Sequence, residues 1–512
     1  MVYNVLEYLE EACRRSPDKT VIGDTKRELS YQEFLRFSSS IGTFLAQRGY
    51  AKEPIAVLID RDALCVAAFM GIVYAGCSYL PVDRKLPRER IETILSVTGT
   101  RALLFRREDQ EMADILAFPG ERIRIEEAVQ EPVKTKLLGN IRQGHLDTDP
   151  LYLIFTSGST GVPKGVVVSH AAVIDLTERF QRVFAFGEDE VFANQAPFDF
   201  DVSVKDWYLT LRTGGTMQIV PQSMFVMPKG LVPYLNERGV TVLIWAASAL
   251  EVAAKFQIFQ KEIPVHIQTV MFSGEVLPIK VLHYWQKYLP QARFVNLYGP
   301  TEVTCNCTYY IVDREFRVDE VLPIGKAFPN MQVLLLDEKG REAAEGKQGE
   351  ICVRGTSLAL GYYGAEQESR KAFCQNPLQN NYRDLIYHTG DLGYYNERGE
   401  LVFAARRDAQ IKHMGHRIEL GEIEAAVNSL DEVEKCCCMY DGEKGRIILC
   451  YQAKEMQDAG LLKALQKKLP KYMCPNRLVF LEEIPMNMHG KIDRTLLKKI
   501  YIEGKQETGG GR

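Results

Sequence analysis

Between Ile154 and His170 the chain reads IFTSGSTGVPKGVVVSH, a run dense in glycine and hydroxyl residues with one lysine, Lys164. A loop of that composition turns backbone N–H groups and hydroxyls toward an anion at little steric cost, which is phosphate-holding chemistry. The GxxxxGK[ST] phosphate loop is not met, because Pro163 precedes Lys164 and Gly165 follows it. Alone, such a segment reads as a plain linker more often than as a site. The apolar run LYLIF before it predicts a strand that would deliver it as a loop.

Holding such a loop takes a scaffold, and 512 residues are too many for one compact core, so two or more domains are expected. Up to about residue 400, amphipathic helical patterns alternate with short apolar runs, among them VTVLIWA at 240–246, TVMFSG at 269–274 and FVNLYG at 294–299. That alternation predicts an α/β fold of layered, mainly parallel sheets with helices. Turn residues between short strands at 338–355 predict a smaller β subdomain. A hairpin signal and a charged, hinge-like stretch at 396–415 precede RIELGEIEAAVNSL, an amphipathic helix, and the last hundred residues carry their own α+β pattern. These signals set an N-terminal domain at 1–406, a small C-terminal domain at 407–505 and a disordered tail at 506–512. No internal repeat is visible.

The charge balance, 63 Lys and Arg against 67 Asp and Glu for a net −4, gives no electrostatic case for nucleic acid or an anionic membrane. The twelve cysteines are scattered with no CxxC pair and no zinc spacing, and KCCCMYD at 435–441 reads as a buried strand. The N-terminus has no signal-peptide apolar core, so reduced thiols in a cytoplasm are expected. Ala63–Val82 is apolar enough to suggest a membrane span, but Gly71, Gly76, Pro81 and the flanking charges predict a buried helix, a turn and a short strand instead.

Nine motifs in order give the loop its context: YAGCSYLPVD (74–83), the loop itself (154–165), FDFDVSV (198–204), NLYGPTE (296–302) and GEICVRGTSLALGYYG (349–364), then YHTGD (387–391), RRDAQIKHMGHRIELGEIE (406–424), LPKYMCP (469–475) and GKIDR (490–494). Together they resemble the adenylate-forming superfamily, which includes acyl-CoA synthetases, luciferases and the adenylation domains of peptide synthetases. The resemblance implies a large N-terminal domain, a small mobile C-terminal domain, and two half-reactions. A carboxylate attacks the α-phosphate of Mg-ATP, releasing pyrophosphate, and a thiol then displaces AMP.

The resemblance also implies residue roles. Thr156, Ser157, Gly158, Ser159, Thr160 and Gly161, with Lys164, would hold the β- and γ-phosphates. Tyr298 would lie against adenine within Asn296, Leu297, Gly299, Pro300 and Thr301. Glu302, with Thr160, would hold Mg2+, a hard cation suited to oxygen ligands. Asp391 would accept the ribose hydroxyls, and Phe403 and Arg406 would flank the nucleotide. Lys491, on the small domain, would stabilise charge during adenylation only, and Asp408 would be the hinge. His489 stands where the family usually has Asn.

The carboxylic acid is addressed by Asp201, at the position where amino-acid-activating members pair an aspartate with the α-ammonium. The alternative is that Asp201 caps the helix beginning near Val202. The rest of the pocket would be Val202, Lys205, Ile244, Met271, Ser273, Leu297, Cys305 and Asn306, a lining that favours a small side chain. NQAPFDFDVSV and MFSGEVLP resemble the D-alanine–D-alanyl carrier protein ligase family, which typically has Cys at the place of Ser273 and Met at that of Lys205. An inward Lys205 would pair with a second carboxylate, while an outward one would be a solvated helix residue. The expectation is therefore a stand-alone enzyme that adenylates D-Ala, L-Ala, Ser or Gly. No carrier domain follows Lys491, so a separate phosphopantetheinyl carrier protein is expected as acceptor, ahead of coenzyme A. An acyl- or aryl-CoA ligase and a non-catalytic homologue are the alternatives.

Overall fold

The computed structural model describes residues 2–157, 163–407, 410–430, 432–455, 458–486 and 492–504. The chain divides into two compact units: Met1–Arg84, Leu95–Phe155 and Gly165–Arg407 form the first; Lys85–Ile94, Thr156–Lys164 and Asp408–Arg512 form the second.

Among the described residues the first unit contains three sheets. In the nine-stranded sheet the interior strands are parallel: Arg293–Tyr298, Thr269–Ser273, Val242–Ala246, Val191–Asn194, Thr216–Ile219 and Thr20–Gly23, in that spatial order, with antiparallel strands at both edges. The three apolar runs noted in the sequence are three adjacent strands of this sheet, continuous in apolar character because both faces are covered. Ile244, Met271, Val295 and Leu297 pack in one apolar cluster, and Leu243, Val270, Phe272 and Phe294 pack in another. The alternation of a pleated strand assigns these sets to opposite faces.

The second sheet has seven strands and carries Pro54–Ile59, Ser78–Asp83 and Pro150–Thr156 at its centre. The suspected membrane span is the wholly buried helix Ala63–Tyr74, a turn at Gly76 and the strand Ser78–Asp83. No helix among the described residues is long and apolar enough to cross a membrane. The third sheet is the small β subdomain: Met331–Leu336, Gly349–Gly355, Leu385–Tyr395, Phe373–Gln375 and Leu401–Arg406, all antiparallel.

The second unit holds a two-stranded ribbon, Gln410–His413 with His416–Glu419, and a three-stranded sheet, Val433–Asp441, Arg446–Ala453 and Arg477–Leu481. Its helix Leu420–Asn428 is the predicted amphipathic one, burying Leu420, Ile423 and Val427. KCCCMYD lies in the strand Val433–Asp441 with Cys436, Cys437 and Cys438 buried. All twelve cysteines are free thiols, eleven of them buried, with Cys374 the exception.

Candidate functional site

The first group of charged residues is assembled by two antiparallel strands. Leu385–Tyr395 and Leu401–Arg406 pair with Asp391 directly opposite Arg406, and the register shifts between Leu392 and Gly393, a bulge beside the pair. Gly390, at φ 71°, takes the left-handed turn between Thr389 and Asp391 that a side chain would resist. Arg406 Nη1 donates to Asp391 Oδ1 at 2.5 Å, and the Tyr298 hydroxyl, arriving from the nine-stranded sheet, donates to Asp391 Oδ2 at 2.6 Å. Thr389 accepts from the Asp391 N–H at 3.0 Å and its carbonyl receives Arg406 Nη2 at 3.3 Å. A carboxylate has about four lone-pair directions, so these two bonds leave Asp391 able to accept others. Burial and the neighbouring Asp391 carboxylate hold the Tyr298 phenol well above its ordinary range, so it acts as a donor. Phe403, half-buried, packs from the same strand as Arg406.

Asn296 is pinned by donating Nδ2 to the Pro323 carbonyl at 2.8 Å, a scaffold role. After Tyr298 the chain turns through Gly299, where a Cβ would stand 2.6 Å from Asn306 Cα and 2.6 Å from the Cys305 carbonyl; only glycine lets the two segments close. Pro300 leads into the short helical turn Thr301–Val303. Glu302, in that turn, is buried and accepts the Tyr362 hydroxyl on Oε1 at 2.8 Å. Thr304 and Cys305 follow at φ 57° and 70°, a strained pair for residues with side chains. The strain is held by Thr304 Oγ1 donating to the Ser357 carbonyl at 2.7 Å and Cys305 Sγ donating to the Asp201 carbonyl at 2.8 Å.

A second group collects on the helix Val202–Thr213, which packs Val204, Trp207 and Tyr208 into the same apolar cluster as Ile244, Met271 and Leu297. Asp201 precedes this helix. It is not the helix cap: its backbone is already helical at φ −60° and ψ −24° and its side chain makes no capping bond. Burial raises the pKa of its carboxyl, while the Lys205 ammonium and the Thr301 side chain oppose the rise. Lys205 faces inward, which corrects the solvated alternative. It is 1% exposed, and Nζ donates to Asn306 Oδ1 at 2.6 Å. Ser273 ends the central strand Thr269–Ser273, 3% exposed, with no partner for its hydroxyl among the described residues. Strand alternation puts it on the face of Met271. Val202 is half-buried at the helix start.

Of the glycine-rich loop, Thr156 ends the strand Pro150–Thr156, Ser157 is buried and Lys164 opens the strand Lys164–Ser169. Gly158, Ser159, Thr160, Gly161, Asp408, His489 and Lys491 lie outside the described residues.

Three supporting residues escaped the sequence reading. Tyr362 is separated from Glu302 by sixty positions. Thr389 belongs to YHTGD but carries no signal of its own. Arg179, buried in the helix His170–Phe184, donates Nη2 to the Asn306 carbonyl at 2.6 Å and Nη1 to Asp175 at 2.6 Å. Nothing in HAAVIDLTERFQRVF distinguishes it from a surface arginine.

The chain is similar to known proteins along most of its length. Residues 9–363 match the family described as AMP-binding enzyme, and residues 422–491 match the AMP-binding enzyme C-terminal domain. D-alanine--D-alanyl carrier protein ligase of Bacillus licheniformis is 31% identical over 97% of this chain and 99% of its own length. Tyrocidine synthase 3 of Brevibacillus parabrevis is 31% identical over 96% of this chain, which spans only 8% of that much longer protein. Among solved structures, the adenylation domain AlmE of Vibrio cholerae, crystallised with glycyl-adenosine-5'-phosphate, superposes with a TM-score of 0.83 at 21% identity, covering 98% of both chains, a likeness of fold.

Proposed function

The chain belongs to the AMP-binding enzyme family, an adenylate-forming ligase family, and on that premise we propose that it adenylates a small amino acid and passes it to a phosphopantetheinyl carrier protein. The observation that carries the amino-acid part is Asp201, a half-buried carboxylate at a helix start whose side chain makes no capping bond and can meet an ammonium. A charge pair in such a setting discriminates strongly against acids without an amine. The carrier-protein part draws on the full-length similarity to D-alanine--D-alanyl carrier protein ligase, and the substrate class is D-Ala, L-Ala, Ser or Gly.

In this reading Tyr298, Phe403, Asp391 and Arg406 hold the nucleoside. Asp391 keeps free lone pairs for two ribose hydroxyls while Arg406 neutralises its charge. Glu302, a buried hard carboxylate, fits a divalent cation such as the Mg2+ that accompanies ATP, with Tyr362 fixing its orientation. Thr156–Gly161 and Lys164 hold the distal phosphates. The substrate carboxylate attacks the α-phosphorus and pyrophosphate leaves. Lys491 supplies positive charge to that step, and the hinge at Asp408 carries it away before a thiol displaces AMP.

Amino-acid-dependent ATP–pyrophosphate exchange tests this, with acetate and benzoate as amine-free controls. Exchange driven by amine-bearing acids supports it, and exchange driven only by the controls moves the chain to acyl- or aryl-CoA ligases. Lys491→Ala is expected to lower exchange about 1,000-fold or more while transfer from supplied adenylate persists. Loss of both steps would remove the two-position account.

A further inference from the structure

The helix Val202–Thr213 buries a charge that the protein itself leaves incompletely answered. An ammonium has three donors and no acceptor, and taking it out of water is costly unless an anion and hydrogen bonds replace the lost solvation. Lys205 Nζ is buried, yet among the described residues it makes one hydrogen bond, to the neutral Asn306 Oδ1 at 2.6 Å, and no ion pair. Asp201 and Asp206 both feel its charge, but neither forms an ion pair with it, and Asp206 Oδ2 accepts Asn194 Nδ2 at 2.8 Å. Burial pushes the Asp206 carboxyl up to about 8, so it is largely protonated near neutrality and supplies little counter-charge. Arg179 holds the backbone carbonyl of Asn306 at 2.6 Å and fixes where its side chain starts.

The placement says what would answer the charge. Asp201 and Lys205 are four residues apart on one helix face, about 5–6 Å between Cβ atoms. A molecule whose ammonium meets Asp201 therefore brings a short side chain to Lys205. Ser273, on the sheet face that this helix covers, adds a buried hydroxyl without a partner among the described residues. Alanine or glycine would leave the ammonium and this hydroxyl as they are. A carboxylate one carbon beyond the α-carbon gives Lys205 a charge-assisted hydrogen bond and gives Ser273 an acceptor.

We propose that Lys205 selects the substrate side chain and that the preferred substrate is a short dicarboxylic amino acid of aspartate size. This rests on the reading of the site as amino-acid-adenylating and departs from the neutral side chains named there in favour of an acidic one.

The test uses the whole chain in ATP–pyrophosphate exchange with D- and L-aspartate, D- and L-asparagine, glycine, D- and L-alanine, and acetate. Asparagine has the shape of aspartate without the charge. One enantiomer of aspartate is expected to exceed the matching asparagine by about 100-fold or more in kcat/KM. Lys205→Met is expected to bring that ratio below about threefold with the ATP KM unchanged. An aspartate-to-asparagine ratio near one in the unaltered protein overturns the proposal. So does a ratio retained in Lys205→Met, or an equal loss for every amino acid, which would assign Lys205 to the reacting carboxylate or to packing. Should Lys205→Met fail to fold, the unaltered protein's ratio decides alone. Exchange with alanine or glycine but not aspartate sinks the inference and leaves the amino-acid reading standing. Exchange with acetate alone sinks both.

Discussion

The Tyr298–Asp391–Arg406 cluster and the Asp201–Lys205–Ser273 cluster are both largely buried, both polar and both in the first unit, yet they are built on opposite rules. In the first, the Asp391 anion meets the Arg406 cation and the Tyr298 phenol within 2.6 Å, cation and anion opposite each other on two paired strands and the phenol from the nine-stranded sheet. In the second, charges and hydroxyls outnumber their partners among the described residues: Lys205 has one bond there, Ser273 Oγ and Asp206 Oδ1 have none. A site that meets the same nucleotide on every turnover gains from being fixed in advance. A site that must choose among acids gains from polar groups that only the right acid completes, because the wrong one leaves them buried and unpaired.

Breaking the first cluster should therefore cost stability. Asp391→Ala removes the buried carboxylate that Arg406 and Tyr298 both meet, and denaturant unfolding should show a loss of about 3–5 kcal/mol. A loss under about 1 kcal/mol would mean that Arg406 simply turns to water, and the contrast would weaken. Breaking the second should cost function. Asp201→Ala should raise the amino-acid KM about 100-fold, leave the ATP KM within about threefold, and change stability by less than about 1 kcal/mol. Equal damage to both KM values would take the amine role from Asp201.

Acidity sharpens the contrast further. Asp206 has its folded pKa raised from 3.8 to about 8, so the folded protein keeps a proton that the unfolded chain has released. Its contribution to stability is fully present below about pH 4 and is lost as pH rises toward 8. Asp206→Asn removes that loss, so its thermal stability relative to the unaltered protein should improve steadily from pH 5 to pH 8.5; a constant difference would show that Asp206 is ionised in the fold. The smallest effect belongs to Ser273→Ala. With no partner to lose among the described residues, the hydroxyl should be removable at a change of less than about 1 kcal/mol in unfolding free energy. A loss of 2 kcal/mol or more would reveal a partner and remove Ser273 from the polar groups awaiting a ligand.

Much of this was legible in the sequence for physical reasons. VTVLIWA, TVMFSG and FVNLYG read as strands because an interior parallel sheet demands unbroken apolar runs, and KCCCMYD, on an antiparallel edge strand, read as a strand from its short run of buried apolar residues. The direction of Lys205 was not legible. The usual rule sends lysine to the polar face of a helix, but Ser203–Leu211 is buried all the way round, so the helix has no polar face to receive it. Tyr362 and Arg179 were invisible because each acts on a residue more than fifty positions away, and pairing at that range is decided by sheet order, which no local pattern encodes.

The distribution of sulfur gives the molecule a reporter of its own unfolding. Eleven thiols are enclosed, and burial pushes those of Cys77 and Cys437 up to about 11, where the reactive thiolate is scarce at neutral pH. Only Cys374, on the short strand Phe373–Gln375, is partly accessible. A thiol-reactive chromophore added to the folded protein should therefore label about one site quickly and the rest only as the chain opens. Cys77 belongs to the first unit and Cys437 to the second, so the order in which the remaining thiols appear records which unit yields first.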